Sequence, residues 1–263
     1  EYIYVAVRHA SIIYIKDGVT KDGRIIARKI RAIYNGGAYE MAANKLLRRS
    51  IMAATDVYNI PNIEIDSYRV YTNFIPGTPK RAPIGYQMVW AIESQMDSIA
   101  SALGMDPVEF RLKNVLHNGD VNAMGDKMEA ISHEKALREV AERIEFNKKR
   151  APEGPWRFGK GVALAAKWGN AGLAQAEVKV KDDGKVYVNL DLIDNGQGTF
   201  TGIVQLVAEE FGIDPKDVVL LPLLNGTDSS TTGIGISATA SRQMSVDGKA
   251  VLEACRDAKR KIA

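Results

Sequence analysis

One order of elements is written twice in this chain, and it limits the fold to two related α+β lobes. In the first half, residues 12–16 and 25–34 read as strands around Lys21-Asp22-Gly23-Arg24, a hairpin-type turn. Gly36-Gly37-Ala38-Tyr39 follows, then a helical run with Leu46, Leu47, Ile51, Met52 and Ala53. In the second half, strand-like residues 174–180 and 186–193 flank Asp182-Asp183-Gly184-Lys185. Gly196-Gln197-Gly198 then leads into a helix carrying Ile203, Val204, Leu206, Val207 and Phe211. The first half adds an alternating strand over residues 64–71 and a long helix over residues 87–102. Gly104 caps that helix, Asp106-Pro107 starts the next, and Ser132 is the N-cap of a helix over residues 132–147. Residues 148–160, rich in Lys, Arg, Pro and Gly, read as a linker. The expected architecture is mixed α/β of the α+β kind: a lobe over residues 1–150 and a second over 151–263, each with a small mixed sheet and packed helices.

Composition narrows what the two lobes can do. A formal charge of +3 is too small to argue for nucleic acid, and the basic clusters end or follow helices, where cations complement the helix dipole. Cys255 is the single cysteine, so these residues contain no internal disulfide, zinc-thiolate or iron–sulfur site. It falls among Val251, Leu252 and Ala254, the setting of a buried helix residue. No apolar run reaches the ~18 residues of a membrane helix and no signal peptide is visible, which points to a cytoplasmic protein.

Two glycine- and hydroxyl-rich turns each run into a helix: residues 194–201, and residues 233–243 ending Thr239-Ala240-Ser241-Arg242-Gln243. Glycine lets a backbone approach a ligand closely, and the free N–H groups of a helix start favour anions. The pair reads either as a clamp on a phosphorylated ligand or as two ordinary capped junctions. Asp194 and Asp228, each beside turn residues, read as turn formers or caps rather than a catalytic pair. His9, His117 and His133 lie in separate segments, a poor basis for a metal site, and Trp90, Trp156 and Trp168 read as core or linker anchors.

Thr72-Asn73-Phe74, Arg81, Gln87, Glu93, Met96-Asp97, Leu103 through Pro107, Arg111 and Lys113-Asn114 form one ordered block. It resembles the large, molybdenum-binding subunit of the xanthine dehydrogenase, aldehyde oxidase, carbon-monoxide dehydrogenase and 4-hydroxybenzoyl-CoA reductase family. Gly196-Gln197-Gly198 with Thr201 and Gln205, Thr227-Asp228, Ala240-Ser241-Arg242 and Gly248-Lys249-Ala250 continue the resemblance in order, so that it covers essentially the whole chain. It implies a subunit holding a molybdenum pyranopterin, with electrons leaving through iron–sulfur and flavin partner subunits. By resemblance, Gln197 matches the glutamine beside the metal's oxo ligand, and Arg81 an arginine on the substrate side. Gly196, Gly198, Thr239, Ala240, Ser241 and Arg242 match the stretches that hold the pterin and metal ligands. The protein supplies position and electrostatics, and the cofactor the chemistry.

The chain departs from the family pattern at the substrate loop. Lys80-Arg81-Ala82-Pro83-Ile84-Gly85-Tyr86 carries Pro83 where the family has a substrate-stacking aromatic. Neither the family's Gly-Gly-Phe-Gly loop nor its Gly-Glu dipeptide, which carries the catalytic base, occurs in the sequence. The expectation is a fragment or split subunit, inactive by itself, that joins other pieces of the large subunit in a hetero- or homo-oligomer and exposes apolar surface where they pack. The alternatives are a non-catalytic remnant that binds partners and no molybdenum, and a stand-alone binder of phosphorylated ligands.

Overall fold

The computed structural model describes residues 7–39, 43–79, 82–166, 172–190, 192–221 and 241–262. The chain divides into two compact units, residues 1–166 and 167–263. Linker composition had put the division at 150/151. It falls later because Val162 and Leu164 pack with Val108, Leu112 and Leu137, and the Leu164 N–H donates to Glu93 Oε2 at 3.0 Å. A Pro- and Gly-rich segment ends a secondary-structure element without ending the hydrophobic unit.

In the first unit, strands β1 (Ser11–Val19) and β2 (Ile25–Gly37) form an antiparallel hairpin. Its turn is closed by Thr20, whose Oγ1 accepts from the Arg24 N–H at 2.9 Å, with Gly23 at φ 89°. Helix α1 (Ala43–Thr55) crosses over to β3 (Ile63–Tyr71), which pairs parallel with β2. Successive strand side chains face opposite sides, so Ile30, Ala32 and Tyr34 are buried while Lys29 and Arg31 face out. Helix α2 (Gly85–Leu103) buries Met88, Ile92, Met96 and Ala100. It ends at Gly104 in the left-handed conformation, and Asp106 caps α3 (Pro107–Asn114) by accepting from the Val108 and Glu109 N–H groups. Helix α4 (His133–Arg143) starts after Ser132 without a side-chain cap bond.

The first core is polar at its centre. Glu93 accepts from Tyr58 Oη at 2.5 Å and Arg111 Nε at 2.8 Å, and Arg111 is wholly buried. Arg28, also buried, pairs with Asp17 at 2.7 Å. The sheet's outer face is apolar at one end, where Ile12, Tyr14, Tyr68 and Val70 are exposed. Trp90 and Trp156 are 75% and 69% exposed and anchor no core, against the sequence expectation. Trp90 sits on α2 away from the buried Met88, Ile92 and Met96 stripe.

The second unit repeats the plan. Strands β4 (Ala176–Val180) and β5 (Val186–Leu190) are antiparallel, helix α5 (Thr199–Phe211) crosses over, and β6 (Val218–Leu220) pairs parallel with β5. Helix α6 (Gly248–Ile262) packs on α5 and β4, as α2 packs on α1 and β1. Its core joins Val186, Val188, Leu190, Ile203, Val207, Val251 and Cys255, the last on a buried helix face as its neighbours implied. The β6 strand is absent from the sequence reading, since three residues in an apolar run show no alternation. Each unit is thus β-β-α-β-α.

Candidate functional site

The turn before α5 is held by its own carboxylate. Asp194 Oδ1 accepts from the N–H groups of Gly196 at 2.7 Å and Gly198 at 3.3 Å, and Oδ2 from that of Phe200 at 3.2 Å. These N–H groups, that of Phe200 foremost, hold the Asp194 carboxyl below its usual range. Asp194 is therefore the cap that its place before a glycine turn suggested. The same fact weighs against the phosphate-clamp reading at the first turn, where the Gly196, Gly198 and Phe200 N–H groups already serve a carboxylate; residues 233–240 of the second turn lie outside the described residues.

What the turn leaves open is its glycine surface. Gly196 and Gly198 stand at φ 94° and 81°, and a Cβ at either would meet no described atom within 4 Å. The turn thus needs glycine for its backbone conformation, and no described side chain or backbone fills the space beside it. Gln197, exposed between them, folds its side chain back. Its Nε2 lies 3.0 Å from Ile193 O, 2.7 Å from Thr199 Oγ1 and 2.9 Å from Gln243 Oε1, and its Oε1 accepts from the Asn195 N–H at 2.6 Å.

Ser241 is exposed at φ 59°, a left-handed conformation that costs a non-glycine residue about 1–2 kcal/mol. Strain of this kind collects at ligand sites. Gln243–Asp247 is a π-helical turn leading into α6, a rare local winding frequent at functional sites. Arg242, expected with the cofactor-holding residues, turns its guanidinium into the unit: it is 1% exposed, donates to Leu173 O at 3.1 Å and lies 3.9 Å from Asp247. Gly172 lies under it, where a Cβ would come within 2.7 Å of Nη2. Burial leaves that side chain structural.

Arg81, Trp168, Thr227, Asp228, Thr239 and Ala240 lie outside the described residues. Next to Arg81, Ala82 and Ile84 take φ 47° and 63° directly before α2, whereas Ser241 lies before the π-helical turn that leads into α6. Among the described residues, no three His, Cys, Asp or Glu side chains gather as a metal-ligand group, and no helix is long and apolar enough to cross a membrane. Sequence reasoning missed Thr199 and Gln243 as parts of this site. Thr199 was legible only as a helix-start hydroxyl, and Gln243 has no local signal, because its partners are about 45 residues away.

The doubled β-β-α-β-α order carries a positive-φ glycine turn before α5 and a positive-φ serine before the π-helical turn. Two models of the molybdopterin cofactor-binding domain match the chain, one over residues 1–115 and the other over residues 132–263. The chain belongs to the molybdopterin cofactor-binding domain family. It is 30% identical to a xanthine dehydrogenase molybdenum-binding subunit of Escherichia coli O157:H7, over 99% of this chain and 36% of that protein. It is 28% identical to the aldehyde oxidoreductase of Megalodesulfovibrio gigas, over 92% of this chain and 27% of that protein. The solved aldehyde oxidoreductase from Desulfovibrio gigas superposes with a TM-score of 0.79 at 26% identity, over 97% of this chain and 29% of that one. This chain therefore spans about a third or less of the length of the relatives it matches.

Proposed function

We propose that this chain contributes part of the pyranopterin site of a molybdenum-dependent hydroxylase or dehydrogenase. The substrate classes are an aldehyde, an N-heterocycle, carbon monoxide or an aromatic CoA ester. The observation that carries the reading is the open face of Gly196-Gln197-Gly198 within a chain made of two molybdopterin-binding domains. When bound, the molybdenum pyranopterin supplies two-electron oxidation of the substrate carbon. The residues here bind and orient. Gly196 and Gly198 keep side-chain bulk away from the ligand face, and Gln197 and the exposed Ser241 hydroxyl border it. Arg81 faces the substrate in this reading, as the family pattern implies. Thr239 and Ala240, beside Ser241, lend backbone to the same site.

No Gly-Glu pair occurs among these 263 residues, so in this reading a group outside them takes the proton. Other pieces of the large subunit, together with iron–sulfur and flavin subunits, complete the enzyme, and the cytoplasm is its compartment. The exposed Ile12, Tyr14, Tyr68 and Val70 on the outer sheet face support association. Light scattering checks that part, and a clean monomer alone and with neighbouring gene products overturns it. The central test is molybdenum and released pterin in the protein, expressed alone and with its genomic neighbours. Cofactor in the co-expressed assembly, lowered by Gln197→Ala, is the expected result. Absence from both preparations overturns the reading and leaves the partner-binding remnant.

A further inference from the structure

Two glutamines from distant parts of the second unit meet on one carbonyl. Gln197 Nε2 and Gln243 Nε2 both donate to Ile193 O, at 3.0 Å and 2.8 Å. The Thr199 hydroxyl donates to Gln243 Oε1 at 2.9 Å and accepts from Gln197 Nε2 at 2.7 Å. Gln197 Nε2 also reaches Gln243 Oε1 at 2.9 Å. A backbone carbonyl can only accept and the Asn195 N–H can only donate, so these two groups fix which way each carboxamide faces.

The arithmetic of this network is uneven. Gln197 has two amide hydrogens and three acceptors around them, so its side chain is held from several sides. Gln243 is 9% exposed and Thr199 6%, so water does not readily replace either one. Gln243 stands two residues after the strained Ser241, at the first position of the π-helical turn. The contact ties the turn before α5 to the turn before α6, the two segments that the sequence singled out.

We propose that Gln243 is the positioning residue of the first glycine turn, holding the Gln197 carboxamide, and with it the Gly196 to Gly198 backbone, in the arrangement that presents the open glycine face to the cofactor. The inference rests on the function proposed above, and two readouts separate their failures.

The first readout is the side-chain amide pair of Gln197 in nitrogen-15-labelled protein. In the wild type it exchanges slowly with water. In Gln243→Met, which keeps the volume and removes one of the three acceptors around this amide, it exchanges measurably faster while the backbone signals of the unit stay dispersed. Unchanged protection overturns the proposal, with or without cofactor. Thr199→Val and Thr199→Ser supply a second pair, the valine loosening the amide and the serine restoring it.

The second readout is pterin retained by the assembly at equilibrium. Gln243→Met lowers pterin affinity about threefold to tenfold, the worth of one net hydrogen bond. Gln197→Ala lowers it comparably, and the double variant loses no more than either single one. Losses that multiply as independent effects overturn the positioning role. If wild-type protein takes up no pterin, the proposed function falls, and the amide readout still decides whether Gln243 holds Gln197.

Discussion

A Cβ at Gly37 would come within 2.5 Å of the Ile75 carbonyl oxygen, whereas one at Gly198, at the matching station of the repeat, would meet no described atom within 4 Å. Both glycines stand at positive φ, and both follow a strand and precede a crossover helix. The first turn is filled by its own unit: Arg69 Nη2 donates to Gly36 O at 3.0 Å, and the Gly77 N–H reaches the same carbonyl at 3.1 Å. The second is tied by Asp194, Gln197 and Gln243, and a Cβ at its glycines meets no described atom. Among the described residues, the duplicated unit thus uses one glycine motif for chain-on-chain packing and leaves the other without such a contact.

The largest effect we expect comes from the polar centre of the first unit. Glu93→Ala removes the carboxylate shared by the buried Tyr58 hydroxyl and Arg111 Nε and leaves Arg111 its more exposed partner Asp97 at 2.8 Å; losing one partner of a buried pair costs up to about 3–5 kcal/mol. Chemical denaturation followed by tryptophan fluorescence reads it, and a loss below 1 kcal/mol would mean that water fills the gap, by the scale of ordinary surface changes.

Gly37→Ala follows. It combines left-handed strain of about 1–2 kcal/mol with overpacking of about 1–3 kcal/mol against the backbone of Ile75 and Pro76. Gly198→Ala carries only the strain, about 1–2 kcal/mol, so its stability loss is the smaller of the two and its pterin loss the larger. Equal stability losses from the two substitutions would break the contrast between a filled turn and an open one.

Cys255 supplies a reporter for the second unit alone. Burial pushes its thiol up to about 11, so a thiol reagent at neutral pH reacts only when that unit opens. Glu93→Ala should leave the labelling rate nearly unchanged if the two units open separately, and raise it in step with the stability loss if they open together.

The smallest effect is the pH response of the open turn. The folded Asp194 carboxyl lies below its ordinary 3.8, so its contribution is complete above that value and is lost as pH falls through the folded pKa. Asp194→Asn should remove that acid-side dependence from the Gly196 and Gly198 amide exchange rates. An unchanged acid profile in this variant would assign the titration to another group.

The repeat itself was legible because strand alternation, Asp-Gly turns and glycine helix starts are local signals. Gly104, Asp106 with Pro107, and Asp194 all cap as their types and spacing imply, since a cap is satisfied within about four residues. One exception is local, Ser132, which makes no side-chain cap bond; the others are long-range. Trp90 looked like core by type but lies off the buried stripe of α2, and Arg242 looked like a ligand residue but fills the interior over Gly172. The domain division was misplaced by composition because Val162 and Leu164 return to the first core after the apparent linker.

The doubled β-β-α order, the caps at Gly104, Asp106 and Asp194, the buried cysteine and, through ordered motifs, the family are legible along the chain. Those are properties of neighbours in the chain and of residue order. Folding settles which glycine turn is filled and which meets no described atom, that Asp194 already takes N–H groups an anion would use, and that Gln243 reaches Gln197 across 46 positions. Space and hydrogen-bond satisfaction are settled by whatever folds back against a residue, and one-dimensional spacing does not encode that.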